Sequence, residues 1–173
     1  YLESSEGYNI LDEYDYIFFD EFQDVNQIQF DILMKFYKNG SIITVIGDDA
    51  QNIYQFRNSN VKFIIEFGNH VTNLTTYKLL HNYRSTPEII TMANESIIIN
   101  RNQIKKEMLS INQTIGFIPQ ITYYKSHEEQ HQRIINQIIE FKKNGISDDN
   151  IAIVSRNNFP LKLFEEAIEI HNS

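Results

Sequence analysis

The sequence predicts an α/β fold with mainly parallel sheets and flanking helices. Two observations predict it. Short apolar runs end abruptly in acidic or glycine residues, as buried strands do. Between them lie stretches whose apolar residues recur at helical spacing. Strands alternating with helices in this way assemble most readily into crossover units with parallel neighbours. No internal repeat and no low-complexity linker interrupts the alternation.

The elements follow in order. Tyr16-Ile17-Phe18-Phe19 is an apolar run closed by Asp20 and reads as a buried strand. Phe30, Leu33, Met34 and Tyr37 form an i, i+3, i+4, i+7 stripe, with Lys35 and Lys38 in the last turns and Asn39-Gly40 as a stop. Ile42 to Ile46 is a second strand, closed by Gly47-Asp48-Asp49. A short helix is expected over Val61 to Phe67 and a third strand over Thr75 to Leu80. Thr86-Pro87-Glu88 has the chemistry of a helix start: a capping hydroxyl, a proline at the first position and an acid at the positive end. Ile89, Ile90, Ala93 and Ile97 are its expected buried face. Residues 100–117 are irregular, and Ile121 to Tyr124 is strand-like. Ser126-His127-Glu128-Glu129 opens a helix through about Lys143 that buries Ile134, Ile135, Ile138 and Ile139 and stops at Asn144-Gly145. Ile151 to Val154 is a further strand, and Leu161 to Ile170 a last helix.

Composition excludes several classes. There is no cysteine, so neither a disulfide framework nor a thiolate metal site is possible. No apolar stretch is long enough for a membrane helix, and Tyr1-Leu2-Glu3-Ser4-Ser5 lacks the basic and apolar regions of a signal peptide. These features suit an intracellular protein with no membrane role. The net charge of −8 argues against a broad nucleic-acid footprint. The acid is unevenly placed: residues 1–50 hold eleven acidic and two basic residues, the remainder twelve and thirteen. Any nucleic-acid contact must therefore come from local lysine, arginine and aromatic placement, and a divalent cation is best placed in the first third.

Asp20-Glu21 is the candidate chemical site. In an open α/β sheet, ligands bind beyond the carboxyl ends of the strands. An Asp there can hold Mg²⁺ on nucleotide phosphates, and a neighbouring carboxylate can orient and deprotonate water. An apolar strand followed by two acids is also an ordinary strand end, so this pair alone leaves both readings open. The run continues as Asp20-Glu21-Phe22-Gln23-Asp24. It is followed by Gly47-Asp48-Asp49-Ala50-Gln51-Asn52-Ile53-Tyr54-Gln55-Phe56-Arg57 and by Leu79-Leu80-His81-Asn82-Tyr83-Arg84-Ser85.

These three runs, in this order, resemble the DExQD, GDxxQxIYxFR and LxxNYRS motifs of the UvrD/Rep/PcrA-type superfamily 1A DNA helicases. Ile151 to Ala167, with Arg156 and Leu163-Phe164-Glu165-Glu166-Ala167, resembles a later segment of the same family. The resemblance implies a RecA-like P-loop NTPase helicase core and an ATP-dependent motor moving 3′ to 5′ on single-stranded DNA, in repair, replication or recombination. It implies Asp20 as the Mg²⁺ ligand and Glu21 as general base. Gln23 and Gln51 would sit near the γ-phosphate, Tyr83 would stack on the adenine of ATP, and Arg84 would reach the γ-phosphate as an arginine finger. Tyr54, Phe56 and Arg57 would lie along the DNA. Implied partners are single-stranded DNA, DNA junctions, the remaining helicase domains of a longer chain and a repair or replication protein. The cytoplasm, nucleoid or nucleus is the implied location. A different reading is a helicase-derived module that binds DNA or a partner without catalysis.

Some features depart from the family pattern. Asn52 stands where the family usually has Ser, and Asn58-Ser59 where it has Gly-Ala. No G-x-x-x-x-G-K-[ST] phosphate loop occurs in the 173 residues. The expectation is therefore an internal stretch of a longer protein: residues 1–79 from the first RecA-like domain and 80–173 from the start of the second, inactive on ATP alone. His127-Glu128-Glu129-Gln130-His131 matches the zinc-protease pattern H-E-x-x-H. Against that reading, His127 falls at the first helical position, and His131 extends the apolar stripe toward Ile134 and Ile135.

Overall fold

The computed structural model describes residues 10–53 and 59–172, excluding the side chains of 167 and 169–172. The chain forms two compact units, residues 1–119 and 120–173.

In the first unit, β1 (Tyr16–Phe19) and β2 (Ile42–Val45) pair in parallel, Tyr16 opposite Ile42 and Phe19 opposite Val45. Alternation sends Ile17, Phe19, Ile43 and Val45 to one face, where they pack on the core. Tyr16, Phe18, Ile42 and Ile46 are exposed.

The crossover between the strands is α1 (Gln27–Lys38). It begins earlier than the apolar stripe suggests, because Asn26 and Gln29 form a reciprocal capping box: Asn26 Oδ1 accepts from Gln29 N–H and Gln29 Oε1 accepts from Asn26 N–H, each at 3.0 Å. Phe30, Leu33 and Met34 are buried as the spacing predicts. The helix stops at Asn39-Gly40, where Gly40 takes φ +107°, a region costly for any residue with a Cβ. The short helix α2 (Lys62–Ile65) and a 3-10 turn over Phe67–Asn69 complete the core with Phe63 and Phe67. Phe30 stacks on Phe63 with centroids 4.3 Å apart, and Phe22 meets Phe19 and Phe67 edge-on.

Beyond this core, β3 (His81–Asn82) pairs in parallel with β4 (Leu109–Ser110). Helix α3 (Pro87–Ile97) runs between them, with Pro87 in the first position as expected; the Thr86 hydroxyl, expected to cap it, makes no capping hydrogen bond. Ile90 is buried, Ala93 and Ile97 are half-buried, and Ile89 is exposed, so the buried face is narrower than the sequence suggests.

Among the described residues, the second unit holds two α-helices and a 3-10 turn over Asp148–Asn150. In α4 (His127–Lys143), Ser126 Oγ accepts from Glu129 N–H at 3.2 Å and Ile135 is buried. α5 (Asn158–Asn172) starts three residues before the expected Leu161. His131 is half-buried with its ring edge-on to Phe164, which accounts for its place on the apolar face.

Three expected strands are not formed among the described residues: Thr75–Leu80, Ile121–Tyr124 and Ile151–Val154. An apolar run becomes a strand only when a neighbouring backbone takes up its N–H and C=O groups. Here Tyr77, Leu79, Tyr123 and Val154 are exposed and the runs have no ladder partner. For the first run, pairing begins only at its last residue, where Leu80 C=O accepts from Leu109 N–H and Asn82 C=O from Ile111 N–H, both at 2.8 Å. The observed class is thus mixed α/β with two short parallel pairs.

Candidate functional site

The end of β1 is shaped by one buried ring. Phe22 is 0% exposed, and burying such a side chain stabilises by about 1.5–3 kcal/mol. Its N–H donates to Ile46 C=O at 2.8 Å, and Ile46 N–H donates to Phe19 C=O at 2.8 Å, so the chain is gripped by the end of β2. To turn Phe22 inward straight after the strand, Glu21 adopts φ 52°, ψ 40°. That left-handed conformation is uncommon for a residue with a side chain and costs on the order of 1–3 kcal/mol. The Phe22 anchor offsets it, and Asp20 Oδ1 accepts from Glu21 N–H at 2.9 Å. Both carboxylates are left exposed at the strand end.

Gln23 follows and is 2% exposed. Both ends of its amide are occupied: Nε2 donates to Glu21 Oε2 at 2.7 Å, and Oε1 accepts from Asp48 N–H at 3.0 Å. It therefore ties the Glu21 carboxylate to the turn that closes β2. Gly47 leaves just enough room for it. A Cβ there would lie 2.6 Å from Gln23 Oε1, 2.8 Å from Ile64 Cδ1 and 3.1 Å from the Phe22 nitrogen.

Asp48 organises the turn. Its Oδ1 accepts from Ala50 N–H at 3.0 Å and its Oδ2 from Gln51 Nε2 at 2.9 Å. Lys106 pairs with Asp48 and, at 3.1 Å, with Asp49. Burial pushes the Asp48 carboxyl up, but hydrogen bonds from Lys106, Gln51 and Ala50 outweigh it and hold the group below its usual range. Burial likewise disfavours charge on Lys106, yet its bonds to Asp48 and Asp49 keep the ammonium above its usual value.

Glu21, Gln23 and Gln51 are thus joined in one network. Asn52 extends it: its Nδ2 donates to Gln23 C=O and, at 3.0 Å, to Ser59 Oγ. The two departures from the family pattern therefore bond to each other. Tyr83 and Arg84 lie on the loop after β3, both exposed, with Asn82 Oδ1 accepting from Arg84 N–H at 3.0 Å and Ser85 N–H at 2.7 Å. No hydrogen bond or ion pair among the described residues joins them to the Glu21 network. Tyr54, Phe56 and Arg57 lie outside the described residues.

Sequence reasoning missed Lys106. It also assigned Asp48 and Asp49 no role beyond closing β2. The only available signal was the lysine pair 105–106 in a stretch without periodicity.

The strand-end carboxylates, the amide bridge and the NYRS loop carry the motifs of a helicase family, and comparison with known proteins agrees. Residues 6–72 match the UvrD/REP helicase N-terminal domain and residues 77–172 the UvrD-like helicase C-terminal domain. The chain belongs to the UvrD/Rep helicase family. It is 31% identical over 154 residues to the ATP-dependent DNA helicase Rep of Buchnera aphidicola subsp. Acyrthosiphon pisum, covering 88% of this chain and 24% of that protein. It is 32% identical over 161 residues to the ATP-dependent DNA helicase PcrA of Leuconostoc citreum, covering 90% and 21%. Against PcrA of Staphylococcus aureus the identity is 31% over 156 residues, covering 89% and 21%. The chain spans about a fifth to a quarter of the length of these relatives.

Proposed function

We propose that this chain is part of an ATP-dependent DNA helicase or translocase, moving 3′ to 5′ along single-stranded DNA. In this reading residues 1–79 belong to a first RecA-like domain and 80–173 to a second. The phosphate-binding loop would be supplied by sequence outside these residues, and the chain alone would not turn over ATP. The observation that carries the reading is the buried Gln23 amide, which holds the Glu21 carboxylate against the Asp48 turn.

Each residue has a chemical role. Glu21 takes the proton from the attacking water, and Gln23 holds its carboxylate in place. Gln51 is held by Asp48 at the same turn. Arg84 neutralises charge developing on the transferred phosphoryl group, and Tyr83 offers a ring to the adenine. The donor set fits a magnesium ion, which protein sites typically hold through one or two carboxylates with the substrate phosphates and water. Asp20 is the ligand we assign, with Glu21 beside it. The bound ion would supply charge neutralisation at the phosphates. Tyr54, Phe56 and Arg57 would contact DNA by stacking and by phosphate pairing, independently of base sequence. DNA junctions, a repair or replication protein and an intracellular setting follow from the same reading.

The test is Glu21→Gln in the full-length protein. Expected is loss of ATP hydrolysis by about 10²-fold or more, with nucleotide binding within threefold of the unsubstituted protein. Undiminished turnover would remove Glu21 as the base. No turnover in the unsubstituted protein with single-stranded DNA would leave a binding module without catalysis.

A further inference from the structure

Lys106 lies in the stretch of the chain with the least periodicity, yet its backbone is pinned on both sides. Gln103 Nε2 donates to Ile97 C=O at 3.0 Å, and Lys78 Nζ donates to Lys105 C=O at 2.7 Å. Asn94 exchanges two bonds with Met108, donating from Nδ2 at 2.9 Å and accepting at Oδ1 from Met108 N–H at 3.1 Å. Directly after Met108, β4 pairs with the His81–Asn82 strand that leads into Tyr83 and Arg84.

From this fixed base the Lys106 side chain, 18% exposed, reaches Asp48 and Asp49. The Asp49 side chain is 2% exposed, and its other oxygen accepts from Ile104 N–H at 2.9 Å. Exposed lysine–carboxylate pairs contribute little, because two mobile side chains must be ordered in water. Here the lysine is mostly enclosed, one carboxylate is buried, and the backbone on both sides is held. Removing the cation would leave the buried carboxylate uncompensated. The Asp48 turn would then be free to relax, and with it the N–H that grips Gln23.

We propose that Lys106 is a positioning residue of the hydrolytic site. By clamping the Asp48-Asp49 turn it fixes Gln23 and Gln51, and through Gln23 the Glu21 carboxylate. It also ties that turn to the strand pair preceding Tyr83 and Arg84. This rests on the ATP-hydrolysis reading above.

The experiment uses the full-length protein with saturating single-stranded DNA and compares Lys106→Met, Lys106→Arg and Asp49→Asn. Expected for Lys106→Met is a fall in kcat for ATP of tenfold or more, with KM for ATP within threefold. Lys106→Arg, which keeps the cation, should recover kcat to within about threefold of the unsubstituted protein. A folded Lys106→Met with unchanged kcat would overturn the inference, as would equal impairment of the Met and Arg variants. If Lys106→Met fails to fold by circular dichroism, Asp49→Asn decides: it keeps the shape of the buried partner, and a three- to tenfold loss of kcat supports the clamp while unchanged kcat overturns it. Absence of turnover in the unsubstituted protein would instead remove the functional reading, and this inference with it.

Discussion

The turn around Gln23 and the loop around Arg84 carry the two halves of one proposed reaction, but they are built differently. Around Gln23 the polar groups are enclosed and saturated: both ends of a buried amide are bonded, and Asp48 accepts from a backbone N–H and two side chains. Around Arg84 the order is in the backbone alone. Asn82 Oδ1 accepts from two successive N–H groups and fixes the turn, while Tyr83 is 74% exposed and Arg84 is exposed as well. The first region is pre-organised before any ligand arrives. The second presents side chains for which no hydrogen bond or ion pair is made among the described residues. Substitutions in the first should therefore disturb folding and activity together, and those in the second activity alone.

The largest expected effect lies in the exposed loop. Arg84→Ala in the full-length protein is expected to lower kcat by about 10³–10⁵, the range for loss of an arginine finger. Its stability should change by less than about 0.5 kcal/mol, because the Arg84 hydrogen bond to Asn82 is made by the backbone N–H and survives the substitution. Steady-state ATP turnover and a denaturant midpoint measured on the same preparation check both halves. A large loss of stability would erase the contrast between the two regions.

Gly47→Ala probes the enclosed region and should do both things at once. The added methyl meets Gln23 Oε1 at 2.6 Å and the Phe22 nitrogen at 3.1 Å, and backbone cannot step aside as a flexible side chain can. Overpacking of this kind costs about 1–3 kcal/mol. The measurement is the denaturant midpoint together with kcat. A fall in stability without a fall in kcat would show that Gln23 can shift without releasing Glu21.

The same contrast explains what the sequence made legible. β1, β2 and α1 could be read because burial and periodicity are local: Tyr16 to Phe19 ends at Asp20, and Phe30, Leu33 and Met34 recur on one helix face. The strands expected at Thr75–Leu80, Ile121–Tyr124 and Ile151–Val154 depended on a pairing partner, which an apolar run does not specify. At the candidate site, it was the resemblance to the helicase motifs that named Glu21, Gln23 and Gln51; Gln23 reaches Glu21 two residues away but the Asp48 turn twenty-five residues away. Lys106 was invisible because its partners lie 58 and 57 residues away in sequence. Nothing in a single sequence says which of fifteen basic residues will make such a contact. Asn52 and Ser59 were visible only as departures, and their hydrogen bond shows that they act as a pair.

The smallest expected effect sits at the rim of the enclosed region. Burial, and then the negative charge of Glu21, push the Asp24 carboxyl above its usual range. A raised carboxyl means the folded state holds the proton more tightly than the unfolded chain. Its contribution is therefore nil below the unfolded value, near 3.8, where both states are protonated, and becomes a penalty as the pH rises through the folded one. Asp24→Asn removes the ionisable group while keeping an oxygen for Asn52 Nδ2, now at 3.4 Å from Asp24 Oδ1. At pH 7 the variant is expected to gain a little stability, below about 0.5 kcal/mol. Below the unfolded value the gain should vanish, since both forms are then neutral. Denaturant midpoints at pH 7 and at pH values below about 3.8 separate the cases. A gain that persists in acid would show that the amide improves packing, and that neither burial of the Asp24 charge nor repulsion from Glu21 accounts for it.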